Sequence, residues 1–338
     1  MIAVDANGAD QGAGAVAEGA RRSGERVLLF GPAAKLGETG PVIEVVDAPT
    51  TITAADEPAR AARSLPEASI VQAARAVASG RAEALVSAGT TGGTLAASLL
   101  NIKRAHGIHR PALAALLPIP GGPTLLLDCG ANVEVRPEHL VQFAYMGAAL
   151  MASVYGRERP RVGLLSVGEE PEKGTPDVLE AHARLARADS GAAFAFTGNV
   201  EGFDLPAAAV DVLVTDGFTG NVALKVLEGT AKTVTAAIRG AIRSGAISTV
   251  GGLLVRGCLG RLRDELDPEA VGGAILLGLR KPVVVAHGSF GPDGIASAIG
   301  LARRAVDERM VERVHAALRE GGALRERSAG AASVVPDS

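Results

Sequence analysis

Cysteine is scarce: only Cys129 and Cys258 are present, far apart and with no second thiol beside either. That spacing excludes a disulfide framework and a zinc knuckle, and it points to a reducing, cytoplasmic compartment. Aromatic residues are 3% of the chain, so the core has to be built from alanine, valine and leucine. Neither sign of charge dominates, because 34 Lys and Arg against 37 Asp and Glu leave a net charge of -3. A general nucleic-acid binder, whose affinity rests on a broad basic face, is therefore not expected. No uninterrupted apolar run approaches the roughly 20 residues that span a bilayer. The opening "MIAVDANGAD" reads as a strand and a polar turn, with no basic stretch ahead of an apolar one. Secretion is not expected.

What is present is 47% hydrophobic and 21% charged residues in 338, a composition that folds. Short apolar runs end in or near glycine: "IAVD" (2–5), "RVLLFG" (26–31), "ALVSAG" (84–89), "TLLLDCG" (124–130), "RVGLLSVG" (161–168), "AFAFTG" (193–198), "VDVLVTDG" (210–217) and "PVVVAHGS" (282–289). Between most of them lies enough chain for a helix, as in "ASIVQAARAVASG" (68–80) and "PEHLVQFAYMGAALMASVYG" (137–156). The alternation predicts βαβ crossovers and a mainly parallel sheet covered on both faces; the length admits two lobes or one large α/β domain, and a single domain over 1–324 is expected. Ser87, Asp128, Ser166, Thr197, Asp216 and His287 close six of these runs. Ligands bind outside the carboxyl ends of such strands, so one cleft is expected to collect all six.

Residues 229–263 break the pattern, with Lys232, Arg239, Arg243, Arg256, Arg261 and Arg263 and no acidic residue. Ile238 and Ile242 lie four apart, as do Arg239 and Arg243, which puts an apolar stripe beside a basic one on a helix. Gly240, Gly245, Gly251 and Gly252 favour a broken hairpin over one long helix. The small, polar tail from 325 is expected to be frayed.

Two turns carry the same construction of strand, glycine and helix start. In "LVSAGTTGGTLAASLL" (85–100), Ser87, Thr90 and Thr91 surround Gly89, Gly92 and Gly93; in "VLVTDGFTGNVALKVLEG" (212–229), Gly217 and Gly220 accompany Thr219 and Asn221. Each is either a tight βα turn or an anion seat made by unpaired amides at a helix N-terminus. Neither is a Walker loop or a G-x-G-x-x-G site, so ATP and NAD are not called for. Asp128 and Asn132 flank a third glycine turn, ahead of a helix opened by Pro137 and carrying Glu138 and His139. His139 is either a proton donor or a solvated first-turn residue, and Cys129 either an acyl-accepting thiol or a small core residue. Glu169, Glu170 and Lys173 share the loop "SVGEEPEKG" (166–174), as a metal or base site or as a solvated acidic loop. Asn199 and Glu201 stand in "FTGNVEG" (196–202). His287 either points into the cleft or caps its strand.

Eight phrases in order resemble the PlsX family of phosphate acyltransferases: "VDANGAD" (4–10), "DEPARAAR" (56–63), "SAGTTGGTLAAS" (87–98), "LLLDCGANVEVRPEHLVQFA" (125–144), "RVGLLSVGEEPEKG" (161–174), "FTGNVEGFD" (196–204), "DVLVTDGFTGNVALKVLEG" (211–229) and "GGAILLGLRKPVVVAHGS" (272–289). The chain departs from that family's pattern at Asn7, Ala9, 64–69, Thr90 and Thr175. The resemblance implies a Rossmann-like three-layer α/β/α fold related to isocitrate/isopropylmalate dehydrogenases and phosphotransacetylases, with a projecting helical segment at about 229–268. It also implies transfer of a fatty acyl group from acyl carrier protein to inorganic phosphate, giving acyl phosphate for phospholipid synthesis, with no cofactor and no metal. A short-chain acyl-CoA phosphotransferase and a catalytically weakened binding paralogue are the alternatives. On this resemblance and the chemistry of the reaction, the turns at Ser87, Gly89, Thr90, Thr91 and Gly92 and at Gly217, Thr219, Gly220 and Asn221 are expected to hold phosphate, with Lys225 as a nearby charge. Asp5, Asp128, Glu169, Lys173 and Asp216 are further substrate-binding candidates. Asn132 and Asn199 are expected to orient the thioester carbonyl, and His287 or His139 to protonate the leaving thiol. The resemblance further implies a homodimer in peripheral contact with an anionic membrane, through Arg239, Arg243, Arg256, Arg261 and Arg263, which equally suit acidic carrier protein.

Overall fold

The computed structural model describes residues 1–119, 122–188 and 193–325, without the side chain of Arg263. The tail from 326 onward thus lies outside the described residues, as does the side chain of Arg263 among the basic contacts named above. The strands are β1 (Ile2–Asp5), β2 (Val27–Gly31), β3 (Ile43–Asp47), β4 (Ala84–Ser87), β5 (Ala112–Leu117), β6 (Thr124–Leu127), β7 (Arg161–Ser166), β8 (Ala195–Glu201), β9 (Val212–Val214), β10 (Ala274–Leu277) and β11 (Val283–Val285). The longer helices are α1 (Ala13–Ser23), α2 (Pro58–Ser64), α3 (Ser69–Ala78), α4 (Thr91–Asn101), α5 (Pro137–Val154), α6 (Pro176–Ala188), α7 (Gly217–Ile242) and α8 (Ala246–Glu265), then the short α9 (Pro268–Val271), α10 (Pro292–Asp307) and α11 (Met310–Glu320).

Alternation along the strands sorts their side chains into two cores, one on each face of the sheet. Ile2, Val4, Val27 and Leu29 pack with Val16 of α1, Phe143 of α5, Ile295 of α10 and Val314 of α11. Ala3, Leu28 and Leu85 face the opposite way, onto Ile70 and Ala73 of α3 and Ala97 of α4. Three layers follow from this period-two sorting. Each fully buried leucine or phenylalanine contributes roughly 1.5–3 kcal/mol, so the many small buried side chains offset the shortage of aromatics.

Among the described residues, all eleven strands lie in one sheet, in the order β3-β2-β1-β4-β11-β10-β5-β6-β9-β7-β8. Most pairs are parallel, as the crossover pattern predicts. The centre is different: β10 runs antiparallel to both β11 and β5, and β5 antiparallel to β6. These reversals turn the second half of the sheet around. The carboxyl ends of β1, β4 and β11 emerge at one margin, those of β6, β9, β7 and β8 at the other.

The basic segment forms a hairpin of α7 and α8. The break comes at residues 243–245, while Gly240, Gly251 and Gly252 lie inside the helices. Gly252 is where the helices cross closely, since a Cβ there would stand 2.3 Å from Ile242 Cγ2. Ile247 and Leu254 are 91% and 82% exposed, and Val226, Val234, Ile238 and Leu253 are also exposed. Arg239, Arg243, Arg256 and Arg261 share that exposure. Among the described residues, no helix is long and apolar enough to cross a membrane.

Candidate active site

The six residues expected in one cleft do not meet. Ser87 and His287 lie at the first margin, Asp128, Ser166 and Asp216 at the second. Four strand spacings, roughly 19 Å along the sheet, separate β4 from β6. Thr197 is not at a strand end at all: β8 continues to Glu201, and the Thr197 hydroxyl donates to the Val162 carbonyl at 3.1 Å. The cause is the pair of antiparallel strands in the middle, which carries none of the six residues.

At the first margin, the buried Asp5 carboxylate accepts hydrogen bonds from Ser69 Oγ (2.6 Å), Ser87 Oγ (2.8 Å) and the Asn7 amide (3.2 Å). Burial pushes its pKa up to about 6 against the opposing pull of these three donors. Gly89 lies directly over this group, because a Cβ there would stand 3.2 to 3.4 Å from the Asn7 carbonyl, Ser87 Oγ and Asp5 Oδ2. Thr90 caps α4 by accepting from the Gly93 amide at 3.2 Å. Thr91 and Gly92 open that helix with amides that have no intrahelical acceptor. His287 is exposed, and its Nδ1 is hydrogen-bonded to Ser289 Oγ at 2.8 Å. It lies at the margin opposite the other catalytic candidates.

The second margin is denser. Asp128, fully buried, accepts from the amides of Leu113 (2.9 Å), Ala131 (3.0 Å) and Asn132 (2.6 Å) and from Asn132 Nδ2 (2.8 Å). Burial still raises its pKa, the hydrogen bonds notwithstanding. The turn it organises packs against the start of α7. The Gly217 amide donates to the Asn132 carbonyl at 2.7 Å, and a Cβ on Gly220 would stand 1.9 Å from the Asp128 carbonyl oxygen. Only glycine permits this approach.

These contacts bear on four role assignments. Both Nδ2 protons of Asn132 are engaged, by the Pro111 carbonyl (2.7 Å) and by Asp128, so none remains for a thioester carbonyl. Asn199 is in the same position, since its Nδ2 donates to the carbonyls of Glu170 (2.8 Å) and Lys173 (3.2 Å). Its Oδ1 is buried and has no partner among the described residues. In the α7 turn, the Gly217 amide is taken by Asn132, and the Thr219 amide by the Asp216 carboxylate at 2.8 Å. The anion-seat reading there reduces to the Phe218 amide, Thr219 Oγ1 and the exposed Asn221 amide, which lies over Gly130. Lys225 pairs with Glu228 at 2.8 Å on its own helix.

The loop after β7 completes this margin. Ser166 Oγ donates to the Lys173 carbonyl at 2.9 Å, and the two Asn199 bonds hold the same turn from β8. The Lys173 side chain is exposed and makes no ion pair among the described residues; Glu169 beside it is also exposed. Cys129 is buried and burial pushes its thiol far above the ordinary range, which removes it as a nucleophile.

His139 lies at this margin too, but it is spent locally. It is buried, its Nδ1 accepts from the Arg136 amide at 3.1 Å, and burial lowers its pKa, leaving a neutral imidazole that is a poor proton donor at neutral pH. His109, His139 and Glu138 hold donor atoms within 4.8 Å of one another. That set would suit zinc by type, but Arg104, Arg110, Arg136 and Arg325 all act on the imidazole pair, a field that opposes a dication. Sequence reading missed His109, and with it this cluster, because nothing in the primary spacing links 104–110 with 136–139 and 325.

A family described as "Fatty acid synthesis protein" matches residues 1–313. The chain is 39% identical to a phosphate acyltransferase of Maricaulis maris, with 98% of each chain covered. It is 41% identical to one from an Anaeromyxobacter strain, covering 99% of this chain and 95% of that one. Among solved structures, a phosphotransacetylase from Streptococcus pyogenes superimposes with TM-score 0.60 at 19% identity, covering 91% of this chain and 94% of that chain. The EutD phosphotransacetylase from Staphylococcus aureus does so with TM-score 0.59 at 18% identity, covering 90% and 94%. These two likenesses bear on the fold.

Proposed function

The chain belongs to the phosphate acyltransferase family and is an acyltransferase to phosphate, and from that premise we propose that it takes a fatty acyl group from acyl carrier protein and works at the second margin. The observation that carries the location is the common exit of β6, β9, β7 and β8, adjacent strands in one sheet. It gathers the Asp128–Asn132 turn, the start of α7 and the Lys173 loop within three strand spacings, roughly 14 Å. The acyl phosphate formed would supply phospholipid synthesis.

Phosphate as nucleophile needs a positive partner, and Lys173 offers an unpaired ammonium on a loop pinned by Ser166 and Asn199. The carbonyl oxygen gains negative charge as phosphate adds; Asn221 and the Phe218 amide supply uncommitted donors. Thiolate departs as the tetrahedral adduct collapses, and the Lys173 ammonium gives it a proton. Asn199 Oδ1 offers a buried acceptor for a ligand N–H or O–H, since a buried oxygen without a partner is costly to leave so. Asp128 and Asn132 act by holding the turn against α7.

The α7–α8 hairpin is assigned, on the same reading, to a second copy of the chain and to anionic lipid. Its exposed apolar residues beside arginines are the supporting feature.

The test is Lys173→Met, assayed with palmitoyl-charged carrier protein and with palmitoyl-CoA at varied phosphate. The expected outcome is a KM for phosphate raised at least ten-fold, or kcat lowered about a hundred-fold, with the fold retained by circular dichroism. Native kinetics with phosphate would remove Lys173 and move the site elsewhere. Turnover with palmitoyl-CoA and none with the charged carrier would replace the proposed donor.

A further inference from the structure

Five guanidinium groups converge beside the second margin from parts of the chain that are distant in sequence. The loop 102–111 brings Arg104 and Arg110, the start of α5 brings Arg136, the end of β10 leads to Arg280, and the last described residue is Arg325. Hydrogen bonds hold these pieces together. The Arg325 amide donates to the Gly107 carbonyl at 2.9 Å and the Arg280 amide to the Lys103 carbonyl at 3.1 Å. Gln142 of α5 accepts from the His109 amide at 2.8 Å and donates to the carbonyls of Gly107 and Ala323. The rings of His109 and His139 stand 5.7 Å apart in the middle.

All five arginines are exposed. Arg104 and Arg280 are partly committed to backbone carbonyls. The side chains of Arg110, Arg136 and Arg325 make no hydrogen bond or ion pair among the described residues. Glu138 is the acidic residue whose charge acts on both imidazoles at the centre of the cluster. In a chain whose net charge is -3, leaving so many guanidinium groups unpaired in one place creates a local positive field that serves an outside anion.

We propose that this arginine cluster, Arg104, Arg110, Arg136, Arg280 and Arg325, is the docking surface for an acidic protein that delivers the acyl group to the second margin; the inference rests on the carrier-dependent reading of the function. The cluster adjoins the proposed site through Pro111, whose carbonyl accepts from Asn132 at 2.7 Å. A partner seated there stands next to the turn where its tethered thioester must react. Charges spread over four chain segments suit an extended acidic face better than one small phosphate. The α7–α8 hairpin differs in kind, because its arginines accompany many exposed aliphatic side chains. The arginine cluster lacks such a stripe and is suited to a polar protein surface instead of lipid.

The experiment uses the full chain, palmitoyl-charged acyl carrier protein labelled for fluorescence anisotropy, and vesicles of phosphatidylglycerol. Arg110→Gln with Arg136→Gln should weaken carrier binding about ten-fold, flatten its salt dependence, and leave turnover of palmitoyl-CoA within two-fold of native. Arg239→Gln with Arg243→Gln on the hairpin should leave carrier binding unchanged. Unchanged carrier binding in the Arg110/Arg136 variant overturns the docking surface while leaving the donor assignment intact. An equal loss with both donors overturns it in favour of a catalytic or structural role, and loss of vesicle binding alone overturns it in favour of lipid. A native chain that turns over palmitoyl-CoA but neither binds nor uses the carrier overturns the donor assignment itself, and the inference with it.

Discussion

Asp5 and Gly220 show how much of the chemistry depends on single atoms. Asp5 is charged in the unfolded chain above its ordinary value near 3.8, and its folded pKa is about 6. A carboxyl raised in this way favours the folded state while protonated, so its contribution is full below pH 4 and is lost as pH rises through 6. The difference amounts to about 3 kcal/mol between those limits. Urea denaturation of the native chain and of Asp5→Asn, from pH 4 to 7, should show a steeper downward slope in the native chain than in the variant. Equal slopes would mean that Asp5 titrates normally. At Gly220, a methyl group would be forced onto the Asp128 carbonyl oxygen, which is backbone and cannot swing away. Gly220→Ala should cost about 3 kcal/mol by urea denaturation and should lower activity by displacing the turn from α7. A variant as stable as the native chain would show that the two elements separate easily.

At the scale of elements, α7 serves two places at once. Its first turn closes on Asp128 and Asn132, and its far end leaves the sheet to pair with α8. The hairpin's exposed apolar face has nothing to cover it among the described residues, which is costly unless something outside the chain does so. Replacing Ile247 and Leu254 together by Asp should reduce binding to phosphatidylglycerol vesicles at least ten-fold in co-sedimentation, because each large apolar side chain buried is worth roughly 1.5–3 kcal/mol. Thermal stability should stay within a few degrees of native. Unaltered sedimentation would assign the face to a partner copy alone. The loop after β7 is the contrasting case: a short segment with little core of its own, held over the margin by side-chain bonds from Ser166 and Asn199.

For the whole molecule, the two margins of the sheet behave as separate polar centres. Ser87 and Asn132 share no partner and sit four strand spacings apart, so Ser87→Ala and Asn132→Ala should add in stability within about 0.5 kcal/mol. A larger coupling by double-mutant cycle would show that the sheet transmits strain between them. Much of the architecture is legible in the primary structure. Eight of the strands coincide with short β-branched or leucine-rich runs, most of them followed within a few residues by glycine, and most of the stretches between them carry helical spacing. The two glycine turns, the family phrases and the basic hairpin are likewise local features, determined by which residues stand next to each other. The strand direction at the centre is not local. β5 is the alanine-rich "ALAALL" and β10 the four-residue "AILL", neither of which has a period that separates strand from helix. Those two strands reverse the second half of the sheet, and only their long-range pairing decided that Ser87 and His287 part from Asp128 and Asp216. The same holds for Asn132 and Asn199: sequence supplied two amides of the right type, whereas hydrogen bonds closed in the folded chain consumed their protons. It holds for the arginine cluster as well, because charge is written residue by residue but a field exists only where folding brings the charges together.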